Sequence, residues 1–406
     1  MRISNWRTAS LVLGFCVIFS TLAFAQKYDV GVSEKEIKIG NITPYSGPVS
    51  AFAVFGKTQA AYFEKINAEG GINGRKINFI SYDDAYNPAK TVEQARKLVE
   101  SDEVWIVFSP HGTAQNTAIH KYLNAKKVPQ LFVSTGATKW NDPAHFPWTM
   151  GFIPNYQGEA RIYAQYILKN KPNAKIAVLY QNDDFGKDYL KGLKDGLGEK
   201  AQSMIVAAEG YESTQPTVDS QLVKLKASGA DLFINIATPK FAAQAIRKVG
   251  ELGWKPTQFV ISISVSLAGV MKPAGMENAQ GIISAAVFKD PIDPQWKGDA
   301  AIAEMNKFLG KYYAEANQKD PDIVRAYTMA QALEYVLRQC GNDLTRSNVM
   351  KQAASIKNLE LGGLLPGIKV NTSPTDFAPL SQMRLMRFEG ERWHLFGDLL
   401  GTELGN

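Results

Sequence analysis

The sequence predicts an α/β protein made of two doubly wound lobes, with a C-terminal β-hairpin added to them. Three observations predict it. Residues 39–84 read as a strand, a loop, an amphipathic helix and a second strand, the first unit of a parallel sheet with helical crossovers. Strand and helix patterns then alternate along almost all of the 406 residues, a length that suits one very large domain or two ordinary ones. The alternation breaks at a stretch holding Trp140, Pro143, Pro147, Trp148 and Pro154, and then restarts.

Each element has a local reason. Residues 37–42 form a short apolar strand that runs into a loop with Pro44, Ser46, Gly47 and Pro48. Ala60, Ala61, Phe63 and Ile66 recur at helical spacing, and Gly70 and Gly71 end that helix because glycine adopts the left-handed cap without strain. Residues 77–82 are the next strand. Asp83 and Asp84 at its end read as caps of the following turn, not as an acid–base pair. Residues 104–108 and 130–133 are short apolar runs of the buried-strand type. The first is followed by Ser109-Pro110-His111-Gly112 and a helix from Thr113, the second by the loop 134–138.

Past the break come a helix at 157–169, a strand at 175–180, a loop at 181–186 and a helix at 187–200. Strands at 204–211, 231–236 and 258–261 alternate with helices at 217–228 and 242–252. A strand at 281–287 leads into the turn-rich stretch 289–294, read as a second crossover between the halves. Helical patterns follow at 300–314, 324–340 and 345–356. Residues 381–388 and 392–396, joined through Glu389-Gly390-Glu391, form the hairpin, which a purely alternating protein would not need.

Composition narrows the function. Basic and acidic residues, 45 and 39, are interspersed, and no Lys/Arg cluster is interleaved with stacking aromatics, which argues against nucleic acid. Arg2 and Arg7 precede the uncharged run 11–19, and Ala23-Phe24-Ala25 offers small residues where a signal peptidase reads. Residues 1–25 are therefore expected to be a secretory signal cleaved near Ala25; the run is too short for a stable anchor. Phe15 before Cys16 argues against a lipid anchor. Cleavage removes two arginines and no acid from a formal charge of +6. Cys340 would be the only cysteine left, so the core and not a disulfide must stabilise the chain. The apolar run 259–270 is broken by Ser262, Ser264 and Ser266 and is no membrane span.

The chain resembles the solute-binding proteins of ABC importers, in particular the branched-chain amino acid binding family with the type I periplasmic-binding fold. The marks are Ser46-Gly47-Pro48, Asn67 with Gly70-Gly71-Ile72-Asn73-Gly74-Arg75, the Asp83-Asp84 strand end, the loop 134–138 and Asp184-Phe185-Gly186 before a helix. The resemblance covers essentially the whole mature chain. It implies two lobes joined by three hinge crossovers, near residues 153, 287 and 368. The first lobe would then hold 27–152 with 287–367, and the second 153–286 with 368–406. It also implies a periplasmic monomer that encloses a small carboxylate or amino acid and delivers it to an inner-membrane permease, with no cofactor or metal.

Carried over position by position, the resemblance places His111, Gly112 and Thr113 where the family binds the ligand's carboxylate. Free N–H groups at a helix N-terminus make such an anion site physically reasonable. Gly136, Ala137 and Thr138 match a second ligand loop, and Phe55 an aromatic over the ligand. Phe185 and Ala237 fall where tyrosines are common, and Ser264 where amino acid binders carry a glutamate for the ligand's ammonium. A serine cannot supply that charge. Either Asp183 or Asp184 reaches in, or the ligand is an acid without an ammonium, with Phe55, Phe152, Tyr156 and Phe185 suiting an aromatic or short aliphatic one.

Plainer readings stand beside these. His111 can be a solvated loop residue, Phe185 core, and Trp140 and Trp148 packing of the crossover. His120, His145 and His394 show no metal-ligand spacing, and Cys340 reads as inert core. Gly186-Lys187 lacks the glycine of a phosphate loop, since position 181 is Gln. A periplasmic ligand-sensing receptor of the same fold is the alternative function. A secreted hydrolase is the other, but the chain has no G-x-S-x-G elbow and only four histidines.

Overall fold

The computed structural model describes residues 27–403; the expected signal segment lies outside them. After the short strand β1 (Lys27–Tyr28), the first lobe runs β2 (Glu36–Thr43), α1 (Ala53–Ala68), β3 (Lys76–Asp83), α2 (Pro88–Arg96), β4 (Ile106–Phe108), α3 (Thr113–Ala125), β5 (Gln130–Val133) and β6 (Thr149–Gly151). The second runs α4 (Tyr156–Asn170), β7 (Ile176–Gln181), α5 (Asp184–Leu197), α6 (Ala201–Met204), β8 (Ile205–Tyr211), α7 (Asp219–Ala227), β9 (Leu232–Ile236), α8 (Pro239–Glu251), β10 (Thr257–Val260), α9 (Lys272–Ala274) and β11 (Ile283–Ala286). The chain continues through α10 (Ala300–Tyr312), α11 (Pro321–Gln339), β12 (Asp343–Leu344) and α12 (Arg346–Ala353). It ends on the hairpin β13 (Gln382–Glu389) and β14 (Arg392–Gly401).

The first sheet is parallel, in the order β3-β2-β4-β5-β6, with Ile39 of β2 opposite Phe79 on one side and Ile106 on the other. The second has the order β14-β13-β11-β10-β9-β7-β8. Its hairpin pairs antiparallel onto β11, and the other five strands are parallel. Each parallel set reverses direction once, between β2 and β4 and between β7 and β9. Small molecules bind at such reversals, beyond the strands' carboxyl ends. Helix α11 packs against α1, which returns the segment 300–353 to the first lobe.

Capping side chains set half of the α-helix starts. Asn87 takes the N–H groups of Ala89 and Lys90, and Asp183 those of Phe185 and Gly186. Asp183 thereby starts α5 earlier than its apolar pattern alone suggests. Pro239 and Pro321, each at the first helical position, do the same for α8 and α11. Helix α2 and strand β6 are additional to the sequence reading; Asn87-Pro88 was the signal for the former.

The predicted caps at Asp83 and Asp84 are present. Asp83 accepts from Ala85 N at 2.9 Å, and Asp84 from Tyr86 N at 2.9 Å and the Thr91 hydroxyl at 2.7 Å. Gly71 shows why the α1–β3 turn needs glycine: its φ is +80°, and a Cβ there would lie 2.0 Å from the carbonyl oxygen of Arg75. Three passages join the lobes. The second and third run side by side, with Leu365 N donating to Val287 O at 2.8 Å and Lys289 N to Gly363 O at 2.9 Å.

Candidate functional site

The loop after β4 turns sharply into α3. Gly112 has φ +92°, and a Cβ there would lie 2.3 Å from the Gln115 side-chain oxygen and 2.8 Å from the Tyr86 ring. This close turn leaves α3 without a side-chain cap. Its first N–H groups therefore lack the usual partner, at the end of the helix where the dipole favours an anion. Thr113 is buried there, and its hydroxyl bonds that of Thr135 at 2.6 Å. Tyr156 from the second lobe lies beside Thr135.

His111 is buried, not solvated, with its ring 4.4 Å from Phe52 and 5.4 Å from Phe55. Its Nδ1 has no hydrogen-bond partner. Burial, and then the nearby Arg325, push its pKa down to about 3, so the imidazole is neutral.

From the second lobe, Phe185 is 2 % exposed and meets Tyr156 edge-on at 5.3 Å. Neither of the two candidate acids beside it is free. Asp183 accepts from Phe185 N, Gly186 N and the Gln181 side chain, while Asp184 pairs with Lys139 at 2.6 Å. Glu159 is buried and takes four donors: Ser262 N and Oγ, both at 2.7 Å, Tyr163 at 2.6 Å and Tyr189 at 2.8 Å.

The lobes are closed on each other. Asp188 on α5 receives the N–H and hydroxyl of Thr138 at 2.8 and 3.0 Å. Gln181 donates to the Tyr86 hydroxyl at 3.3 Å, and Arg325 on α11 to the carbonyl of Ser262 at 3.2 Å. An open cleft of about 660 Å³ remains where Pro48, Val49 and Ser50 face Thr214, Gln215 and Lys240.

Phe55, His111, Gly112, Thr113 and Phe185 thus lie at the carboxyl ends of the two sheets. Gly136 holds the crossing, its carbonyl accepting from Tyr156 N at 2.7 Å, and Ala137 is buried beside it. Thr138 works between the lobes, through Asp188. Ala237 and Ser264 bind each other, the serine hydroxyl donating to the alanine carbonyl at 2.6 Å. Residues the sequence did not single out are Phe52, Tyr86, Thr135 and Arg325. For Arg325 a signal existed: a charge between Val324 and Ala326, three residues after Asp322, in a buried helical stretch. Among the described residues no group of three or more His, Cys, Asp or Glu side chains could hold a metal ion, and no helix is long and apolar enough to cross a membrane.

Comparison with known proteins agrees with the fold. The family model described as periplasmic binding protein matches residues 36–392. The Leu/Ile/Val-binding protein homolog 7 of Brucella suis is 25% identical over 243 residues, covering 55% of this chain and 58% of that protein. The leucine-specific-binding protein of Salmonella typhimurium is 25% identical over 382 residues, covering 92% of this chain and 91% of the relative. Among solved structures, a branched chain amino acid ABC transporter protein from Thermus thermophilus with bound valine superposes with a TM-score of 0.81 at 16% identity, covering 91% of this chain and 97% of the other.

Proposed function

The chain belongs to the periplasmic binding protein family, and we propose that it is the extracytoplasmic solute-binding component of an ABC importer. In this reading a small carboxylate-bearing ligand enters between the lobes, and the closed form presents it to a membrane permease. The observation that carries the proposal is the uncapped N-terminus of α3, buried with Thr113 and Thr135 between two lobes that are bonded across. A carboxylate there would accept from the free N–H groups and from the threonine hydroxyls. Phe55, Phe185 and Tyr156 would cover the ligand's apolar body.

Function is then closure without chemistry. Ligand favours the closed form because only there does it touch both lobes. The neutral His111, with no partner on Nδ1, fits a wall of the site better than a base. Segment 1–25 would be removed on export, leaving a periplasmic protein that returns its ligand unchanged.

A thermal-shift screen of residues 26–406 against branched-chain amino acids and aromatic and aliphatic acids tests this. Ligand at a hundredfold excess over its Kd should add about 2.7 kcal/mol to stability. The variant carrying Thr113→Val and Thr135→Val should lose that shift. A shift undiminished in the double variant would place the ligand elsewhere.

A further inference from the structure

Arg325 is a buried charge beside the cleft with a donor to spare. Its Nη1 pairs with Asp322 at 3.2 Å and its Nη2 donates to Ser262 O at 3.2 Å, but its Nε is buried with no partner. Its guanidinium lies 6.0 Å from the Phe55 ring centre and 5.7 Å from that of Phe288. It therefore stands between the cleft floor and the hinge.

Behind it lies a cavity of about 50 Å³, with Ile263, Val265, Phe288, Leu365, Met386 and Trp393 among its walls. A second orphan donor lines the same cavity: the indole N–H of Trp296 is buried without a partner. Two buried donors without acceptors cost stability unless something supplies an oxygen.

Most of the acids nearby are engaged. Glu159 has four donors, Asp183 three, and Asp188 is shared by Thr138 and Gln157. Of the two carboxylates that line the cavity, Asp293 accepts from Gln295 N at 3.0 Å and meets Arg392 at 3.5 Å. Asp290 accepts from Ile292 N at 3.1 Å, and burial pushes its carboxyl up to about 6. Arg325 offers a free donor; the one carboxylate here with acceptor capacity left, Asp290, lines the cavity behind it, whose walls include no residue of α3 where a ligand's carboxylate and an α-ammonium would sit.

We propose that Arg325 and the cavity behind it form a second subsite, which takes an acceptor oxygen and the short aliphatic end of the ligand. This rests on the cleft being the ligand site, and it narrows the ligand to an acid without an ammonium that carries a second oxygen. The size is part of the inference. At about 50 Å³ the cavity falls well below the ~150 Å³ that admits benzene, so it suits a short branched chain and not a ring.

Three probes share one carbon skeleton and differ only beside the carboxylate: 4-methyl-2-oxopentanoate, 4-methylpentanoate and leucine. Calorimetric titration of residues 26–406 should rank the oxo acid about tenfold tighter than 4-methylpentanoate, the worth of one charge-assisted hydrogen bond. Leucine, bringing an uncompensated ammonium, should bind about a hundredfold more weakly than the oxo acid. Arg325→Met should erase the difference between the first two. Ala286→Leu, which fills the cavity without touching a charge, should weaken the oxo acid about tenfold and spare the smaller 2-oxopropanoate.

Leucine binding as tightly as the oxo acid overturns the proposal. So does a preference for the oxo acid that survives Arg325→Met, an Ala286→Leu variant that binds all probes as before, or no binding by any of the three. The importer reading stands or falls separately, because the Thr113 and Thr135 double variant removes amino acids and oxo acids alike if the carboxylate sits on α3.

Discussion

Thr135 shows how one residue can stand against two lobes at once. It meets Thr113 at 2.6 Å and lies beside Tyr156 from the other side of the cleft. Thr135→Val alone should weaken binding about tenfold, since it removes a ligand donor and the bond to Thr113; titration with any ligand found in the screen measures it. His120 makes a prediction about pH. It stacks on Phe146 at 3.9 Å and packs edge-on against Trp140, and burial lowers its pKa from 6.5 to about 4. Between those values the unfolded chain binds a proton that the native protein refuses, so stability present above pH 6.5 is lost as pH falls toward 4. His120→Phe keeps the stacking without the titration. Its urea midpoint should therefore fall less than the wild type's between pH 7 and 4.5, a difference worth about 2 kcal/mol. His111 acts in the same direction, so part of the slope should remain. At this scale Phe55, Gly112 and Thr113 were legible as candidates because they follow strand ends, where such folds bind small molecules. Arg325 was readable as a charge in a buried helix but not as part of the cleft, because it lies more than two hundred residues beyond His111 in sequence and reaches the cleft only through the return passage of the chain.

Elements carry the next set of consequences. The α1–β3 turn depends on Gly71, and Gly71→Ala should destabilise the protein by about 2 kcal/mol or more, from a left-handed φ together with a clash on Arg75 O. Its melting temperature should fall with ligand affinity unchanged; an unaltered melt would mean that the turn adjusts. Helix α5 contributes the closing contact: Asp188→Ala removes both bonds to Thr138 and one to Gln157. At about 1 kcal/mol for each bond between the lobes, affinity should fall by roughly tenfold or somewhat more. The strands and long helices were readable from their periodicity. Helix α2 was overlooked because its nine residues bury only Thr91 and Ala95, too few for an apolar stripe, although Asn87-Pro88 marks its start. Strand β6 has three residues within a Pro- and Trp-rich stretch and becomes a strand only by pairing with β5.

At the scale of the whole molecule, two parallel sheets present their reversal points to each other, and what joins them determines function. The contacts across the cleft include hydrogen bonds and an ion pair that a hinge motion can break, such as Thr138 with Asp188, Lys139 with Asp184 and Gln181 with Tyr86. The order of elements predicted this architecture, since alternating strands and helices with one interruption leave few alternatives. The closed cleft was not readable in the same way, because its partners lie far apart in sequence. The central claim is that ligand shuts the two lobes together. Small-angle scattering of residues 26–406, alone and saturated with an acid that raises its melting temperature, tests it most directly. The radius of gyration should shrink on binding toward the roughly 21 Å of a compact chain of this length. Superimposable curves with and without bound ligand would contradict it.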